Sequence, residues 1–134
     1  MENLKHTEIR HSEMVKKLAK PGLSILREMS PLEAHTVHML LGLSGEIGEI
    51  VDACKKQIIY RKPIDRENVV EELGDVEFYL EGMRQGLGIT REEVIAHNIA
   101  KLAVRYEGFN YSNEAAQARA DKVLEAKTAS ATGA

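Results

Sequence analysis

Tryptophan and cysteine are almost absent from this sequence, which has no tryptophan and a single cysteine, Cys54. One thiol cannot form an internal disulfide, which excludes a small secreted scaffold held by disulfides and suits the reducing cytosol. No apolar run reaches the ~20 residues that a membrane-spanning helix needs, and the first residues lack the apolar core of a secretory signal peptide. We therefore expect a cytoplasmic protein that does not act in a membrane.

An excess of positive charge is missing as well. The 18 lysines and arginines are outnumbered by 21 aspartates and glutamates, which gives a net charge of −3. Because nucleic acids and anionic lipid surfaces attract proteins through a surplus of positive charge, we expect neither as a partner. The 134 residues suffice for one domain with a modest core. We expect this domain over residues 1–127, followed by a disordered tail over 128–134, where the residues are small and polar.

Alternating strand patterns are also lacking, and helical signals take their place. Ser30–Glu33 has the sequence of a capping box with proline at the first helical position, Thr90–Glu93 is a second capping box, and Asp65 can cap the helix between them. The expected helices run over about 6–20, 31–59, 66–85 and 91–107, with a short one from about 113 to 127. Short connections place neighbouring helices antiparallel. We predict an all-α fold, an antiparallel four-helix-type bundle with short accessory helices at both ends.

Four acidic residues lie at matching places in the two long helices: Glu46 and Glu49 in LSGEIGEIVDACKK, and Glu72 and Asp75 in EELGD. At about 100° per residue, Glu46 lies at the edge of the apolar arc of its helix, and Glu72 lies on the apolar face of the next one. No lysine or arginine stands three or four residues from any of the four, so ion pairs along the helix cannot neutralise them. Asp52 differs, because two lysines lie within its reach.

An antiparallel hairpin would bring these two acidic pairs level to within about one helical turn. Two carboxylates ~5 Å apart repel by about 3 kcal/mol at an effective dielectric constant of about 20, so four of them at a helix interface need a counter-ion. Oxygen ligands select a hard cation, of which Mg²⁺ fits best and Mn²⁺ is a common substitute. The sequence therefore predicts a metal site at Glu46, Glu49, Glu72 and Asp75, against the alternative of a solvated acidic face.

The two-part motif, Glu-x-x-Glu, twenty-two residues, then Glu-x-x-Asp, resembles the metal motif of the all-α nucleoside triphosphate pyrophosphohydrolases, the MazG-like and dimeric dUTPase-like superfamily. The segments EIVDACKKQIIY, EELGDVEFYL and NIAKLAVRY are similar to the MazG-like type often met in bacteriophages. The resemblance implies a Mg²⁺-dependent cut between the α and β phosphates of a (deoxy)nucleoside triphosphate, giving the monophosphate and pyrophosphate. It also implies that Glu46 or Glu49 accepts a proton from the attacking water, and that the chain forms a homodimer or homotetramer with a housekeeping role in the nucleotide pool.

A polar stripe on the fourth helix offers groups for the triphosphate. Asn98, Lys101 and Arg105 recur at three- and four-residue steps beside the apolar arc. The spacing alone fits an exposed polar edge, whereas the resemblance implies that Asn98 and Lys101 face the nucleotide; for Arg105 both interpretations stay open. Lys56 lies on the same side of its helix as Glu49 and is a candidate phosphate ligand, although a lysine there also suits the negative C-terminal end of a helix.

Two other functions remain open at this stage. The chain could be a helical module that binds metal or nucleotide without catalysis, although the presence of all four acids favours the enzyme. It could also be a related pyrophosphohydrolase acting on another substrate, such as phosphoribosyl-ATP. With no tryptophan and two phenylalanines, the sequence does not reveal a nucleobase pocket.

Overall fold

The computed structural model describes residues 9–123, and within that range every regular element is helical. In chain order the elements are α1 (His11–Leu18), α2 (Gly22–Glu28), α3 (Pro31–Ile58), α4 (Arg66–Leu87), α5 (Arg91–Arg105), a 3-10 turn (Glu107–Phe109) and α6 (Asn113–Ala118). Helical residues resume at 120–123. The all-α prediction is confirmed. The tail expected at 128–134 lies outside the described residues.

Capping groups fix the ends of the two long helices. At the start of α3 the Ser30 hydroxyl accepts from the Glu33 N–H (3.2 Å), and the Glu33 carboxylate accepts from the Ser30 N–H (2.6 Å). At the start of α4 the Asp65 carboxylate accepts from the Asn68 N–H (3.1 Å). Gly88 ends α4 at φ 66°, in the left-handed region that glycine adopts without a Cβ penalty. Each of these signals is local, and each helix begins where its signal predicts.

α3 and α4 pack against each other as an antiparallel hairpin, the most extensive helix pair among the described residues. Gly42 lies against the ring of Tyr79, and Gly82 lies against the thioether of Met39, so rising numbers on α3 meet falling numbers on α4. A Cβ atom at either glycine would overlap its neighbour. Met39 is only 5% exposed. The two glycines therefore allow the close helix approach on which the hairpin depends.

The outer faces of the helices keep large apolar side chains exposed. On α3 and α4 they include Leu40, Leu41, Ile47, Val51, Val70, Leu73 and Phe78, and on α5 they are Val94, Ile95, Ile99 and Val104. The main neighbours of α5 are the 3-10 turn and α6. The α3–α4 hairpin is thus the most closely packed helix pair of the described residues, and its apolar outer faces remain exposed.

None of the helices in the described range combines the length and the apolar character that crossing a membrane would require.

Candidate functional site

Three of the four acids singled out by the sequence meet across the hairpin. Glu46 comes from α3, whereas Glu72 and Asp75 come from successive turns of α4, and one carboxylate oxygen from each lies within 4.8 Å of the other two. Glu46 and Glu72 are half-buried, and Asp75 is exposed at the rim. The structure thus brings together three of the four acids that the sequence analysis expected to meet across the hairpin. Three oxygens at this spacing could hold a metal ion.

The charge of this acidic cluster, Glu46, Glu72 and Asp75, is not compensated by neighbouring cations. The ion pairs found among residues 9–123 all use other acids. Partial burial raises the pKa of Glu72, and a hydrogen bond with Glu46 and repulsion from Glu46 and Glu49 raise it further. The site therefore disfavours its own negative charge, as expected of carboxylates arranged to receive a cation.

Glu49 stands beside the acidic cluster and is not one of the three converging acids. Its side chain is exposed one helical turn after Glu46. Its charge acts on two sides, because it helps to raise the pKa of Glu72 and also raises the pKa of Lys56. Glu49 thus lies between the acidic cluster and the basic end of α3.

Lys56, on the last turn of α3 beyond Glu49, is paired with Asp52. Its ammonium nitrogen lies 2.8 Å from an Asp52 carboxylate oxygen, whereas the Lys55 nitrogen lies 4.0 Å from the other. The pairing, which the sequence analysis anticipated, raises the pKa of Lys56 and lowers that of Asp52. Lys56 also lines a small cavity of about 70 Å³ with Ala53, Pro63, Asp65 and Asn68.

The polar stripe of α5 is divided by its partners. Asn98 is exposed, whereas Lys101 and Arg105 are half-buried. Arg105 donates from Nε and from Nη2 to the two carboxylate oxygens of Asp121, each at 2.8 Å. No ion pair or hydrogen bond in the described part of the chain joins this stripe to the acidic cluster.

Aromatic rings lie one helical turn from the acidic cluster, on the side away from the lysines. Tyr79 lies one turn beyond Asp75 on α4, with its ring against Gly42, one turn before Glu46 on α3. His38 meets the Tyr79 ring edge-on at 6.4 Å between centroids. Along α3, aromatic contacts thus precede the acids by one turn, and the two lysines follow them near the end of the helix.

A family comparison agrees with this geometry. The family model of the MazG nucleotide pyrophosphohydrolase domain matches residues 35–109, more than half of the chain. The chain belongs to the MazG family. The matched segment contains all four acids and the stripe of α5, and it supports a nucleotide pyrophosphohydrolase. Neither the curated proteins nor the solved structures gave a match.

Asp121, the partner of Arg105, is a strongly interacting residue that the sequence analysis missed. It lies beyond the MazG-matched segment, sixteen residues from Arg105 along the chain. Helical periodicity reports partners three or four residues apart, so no local pattern could reveal this pair. Asp121 is one of three acidic residues in the C-terminal region, with Glu114 and Glu125, and nothing in the sequence sets it apart from them.

Proposed function

We propose that the chain hydrolyses (deoxy)nucleoside triphosphates between the α and β phosphates, giving the monophosphate and pyrophosphate. The observation that carries this proposal is the acidic cluster without a cationic partner, inside the segment that matches the MazG domain. Carboxylates brought together at this spacing repel one another, and a divalent cation converts that repulsion into attraction. The site's role in housekeeping of the nucleotide pool, and the cytoplasm as its place of action, are parts of the same proposal.

The donor set fits Mg²⁺, with Mn²⁺ as a substitute, because every candidate ligand atom is a carboxylate oxygen. In place of the four-acid set of the sequence analysis, we propose that Glu46, Glu72 and Asp75 hold the ion, while Glu49 lies beside them on the adjacent turn. When bound, the cation supplies charge neutralisation for the phosphate oxygens and Lewis acidity at the scissile group. The raised pKa of Glu72 supports this assignment, because the surroundings of that carboxyl favour an added positive charge.

The water's proton needs an acceptor close to the metal ligands. Glu46 and Glu49 are the two candidates from the sequence, and we propose a different role for each. Glu46 shares the converging oxygens, whereas Glu49 lies outside them with its carboxylate exposed. We assign the proton transfer to Glu49, because its oxygens lie outside the set that would hold the ion.

The phosphates need cationic and amide donors beyond the metal. Asn98, Lys101 and Arg105 on α5 and Lys56 on α3 are the proposed substrate ligands. Lys56 keeps two further N–H donors while it is paired with Asp52, since an ammonium group has three. Arg105 likewise keeps donors that Asp121 does not use.

A second copy of the chain is the proposed cover for the exposed apolar faces. Apolar patches of this extent mark interaction surfaces in soluble proteins. Leu41, Val51, Leu73 and Phe78 are each at least half exposed. A homodimer or homotetramer would bury them and bring a second α5 stripe toward the hairpin.

The experiment that tests the function is an assay of standard and modified nucleoside triphosphates with Mg²⁺ or with chelator, in which the products are separated. We expect a monophosphate and pyrophosphate, with no turnover in chelator. A diphosphate and inorganic phosphate would contradict the proposed bond specificity. Tight nucleotide binding without hydrolysis would favour the non-catalytic module, and selective turnover of phosphoribosyl-ATP would favour the other substrate.

A further inference from the structure

The Arg105–Asp121 pair is the most enclosed polar contact among the described residues. Asp121 is 3% exposed, less than Met39 or Ala53, the only buried apolar residues of the described range. The Arg105 side chain is 17% exposed. Both hydrogen bonds are 2.8 Å, so the guanidinium and the carboxylate meet side by side. Such a pair fixes the orientation of a side chain that otherwise has many rotamers.

The chain reaches this pair through a compact reversal after α5. Gly108 takes φ 60° in the 3-10 turn, and the Tyr106 and Tyr111 rings lie 5.8 Å apart at their centroids. Arg119 ends α6 at φ 47°, and the helical residues 120–123 begin immediately after it. The reversal returns the C-terminal segment to the last turn of α5, where Asp121 meets Arg105.

Asp121 occupies only one edge of the Arg105 guanidinium. The bonds to Asp121 use Nε and Nη2, and the Tyr106 side chain also forms a hydrogen bond with the guanidinium, so two of its five N–H groups remain as donors. A guanidinium held at one edge by a carboxylate can bind a phosphate with the other edge. Because its orientation is already fixed, it loses little further side-chain entropy when the phosphate binds.

We propose that Asp121 is a positioning residue, which holds Arg105 so that the free edge of its guanidinium faces the phosphates of the bound nucleotide. This inference rests on the proposed function, because it needs a triphosphate beside α5. It assigns a role in the site to a residue outside the MazG-matched segment. Asp121 itself does not touch the substrate.

The test is a double-mutant cycle on the full chain, with inorganic triphosphate and Mg²⁺ as the probe and calorimetry as the measurement. We expect Asp121→Asn to weaken triphosphate binding about tenfold, the scale of one charge-assisted hydrogen bond. Arg105→Ala should weaken it at least as much, and adding Asp121→Asn to Arg105→Ala should cause no further loss. In the wild type, the Arg105 Nε–H should give a slowly exchanging NMR signal that Asp121→Asn removes.

The matched control is Glu81→Gln, which takes a carboxylate from Arg84 on α4, another ion pair with two hydrogen bonds, of 3.0 and 2.8 Å. It should leave triphosphate binding unchanged. If Asp121→Asn fails to fold, Asp121→Glu keeps the charge and displaces the guanidinium, and the same weakening is expected. Wild-type affinity in a folded Asp121 variant, or additive losses in the double variant, would overturn the proposal.

Failure of the proposed function gives a different result. A wild type that binds triphosphate with this pattern of variants but hydrolyses no nucleotide would refute the enzyme and keep the positioning role. A wild type that releases pyrophosphate, with Asp121→Asn indistinguishable from it in both binding and turnover, would refute the positioning role alone.

Discussion

The two charged regions of this molecule balance their charge in opposite ways. In the hairpin, Glu46, Glu72 and Asp75 face one another, and no cation of the described chain pairs with them. After α5, Arg105 faces Asp121 in a pair that is complete within the chain. A completed pair fixes structure, whereas the acids of an uncompensated cluster repel one another until a cation binds or one of them takes up a proton. We therefore expect the chemistry at the acidic cluster, and we expect the Arg105–Asp121 pair to fix the orientation of a side chain.

The largest effect should come from removing one acid of the uncompensated cluster. We expect Asp75→Asn to lower the rate of pyrophosphate release roughly 100-fold or more, the scale found when one electrostatic stabiliser is removed from an active site. Glu77→Gln is the matched control, because Glu77 lies on the same helix with its side chain 61% exposed and 3.8 Å from Arg84. Circular dichroism should show unchanged helix in both variants. Full activity in Asp75→Asn would contradict a catalytic role for the acidic cluster.

The next effect separates Glu49 from the three converging acids. Glu49→Gln should lower kcat about 100-fold through loss of the proton acceptor, while the Mg²⁺ concentration for half-maximal activity changes little. Glu72→Gln should instead raise the Mg²⁺ requirement. Steady-state assays over a range of Mg²⁺ concentrations measure both quantities. Equal shifts in the Mg²⁺ requirement for the two variants would show that Glu49 is an ordinary metal ligand.

The hairpin that carries the acids can be tested through its glycines. Gly42→Ala places a methyl group into the Tyr79 ring and should lower the free energy of unfolding by about 1–3 kcal/mol. Gly48→Ala is the matched control, since nothing lies within 4 Å of a Cβ at that position. Because alanine has the better helix propensity, Gly48→Ala should raise the free energy of unfolding by up to about 1 kcal/mol. Urea unfolding measures both, and equal responses would contradict the close approach at Gly42.

The smallest effect is a pH dependence of opposite sign in the two regions. The pKa of Glu72 is raised above its ordinary 4.5, so the folded state binds the extra proton, and stability without metal falls as pH rises through 4.5 toward the raised pKa. The pKa of Asp121 is lowered from 3.8 to about 2, mainly by its hydrogen bonds with Arg105, so its contribution is lost as pH falls through that window. Glu72→Gln should flatten the upper slope and Asp121→Asn the lower one, in denaturant unfolding without metal. An upper slope that survives Glu72→Gln would mean that Glu72 is not the group that produces it.

Local signals predicted most of the fold and part of the site. The caps at Ser30, Asp65 and Thr90 predicted the starts of the long helices, because each cap is a contact across three residues. α2 is not among the predicted helices, which leave residues 21–30 as a connection, whereas Pro21 stands at the N-cap of this short helix. The rotation of side chains about each helix predicted the meeting of Glu46 with α4.

Contacts between residues far apart along the chain could not be predicted from local sequence patterns. The partner of Arg105 is sixteen residues away, beyond a glycine with positive φ, and no periodic pattern spans such a reversal. Glu49 lies beside the converging oxygens, although its spacing from Glu46 suggested an equal role. The direction of one side chain depends on packing, which the helical angle alone does not give.

The most direct test of the account is the melting temperature of the wild type in Mg²⁺ and in chelator, beside that of Asp75→Asn. A ligand that binds only the folded state stabilises it, by about 2.7 kcal/mol when its concentration is about 100 times its dissociation constant. The account predicts that Mg²⁺ raises the melting temperature of the wild type and that Asp75→Asn loses most of this rise. Identical melting curves for the wild type with Mg²⁺ and with chelator would contradict a cation site in the acidic cluster.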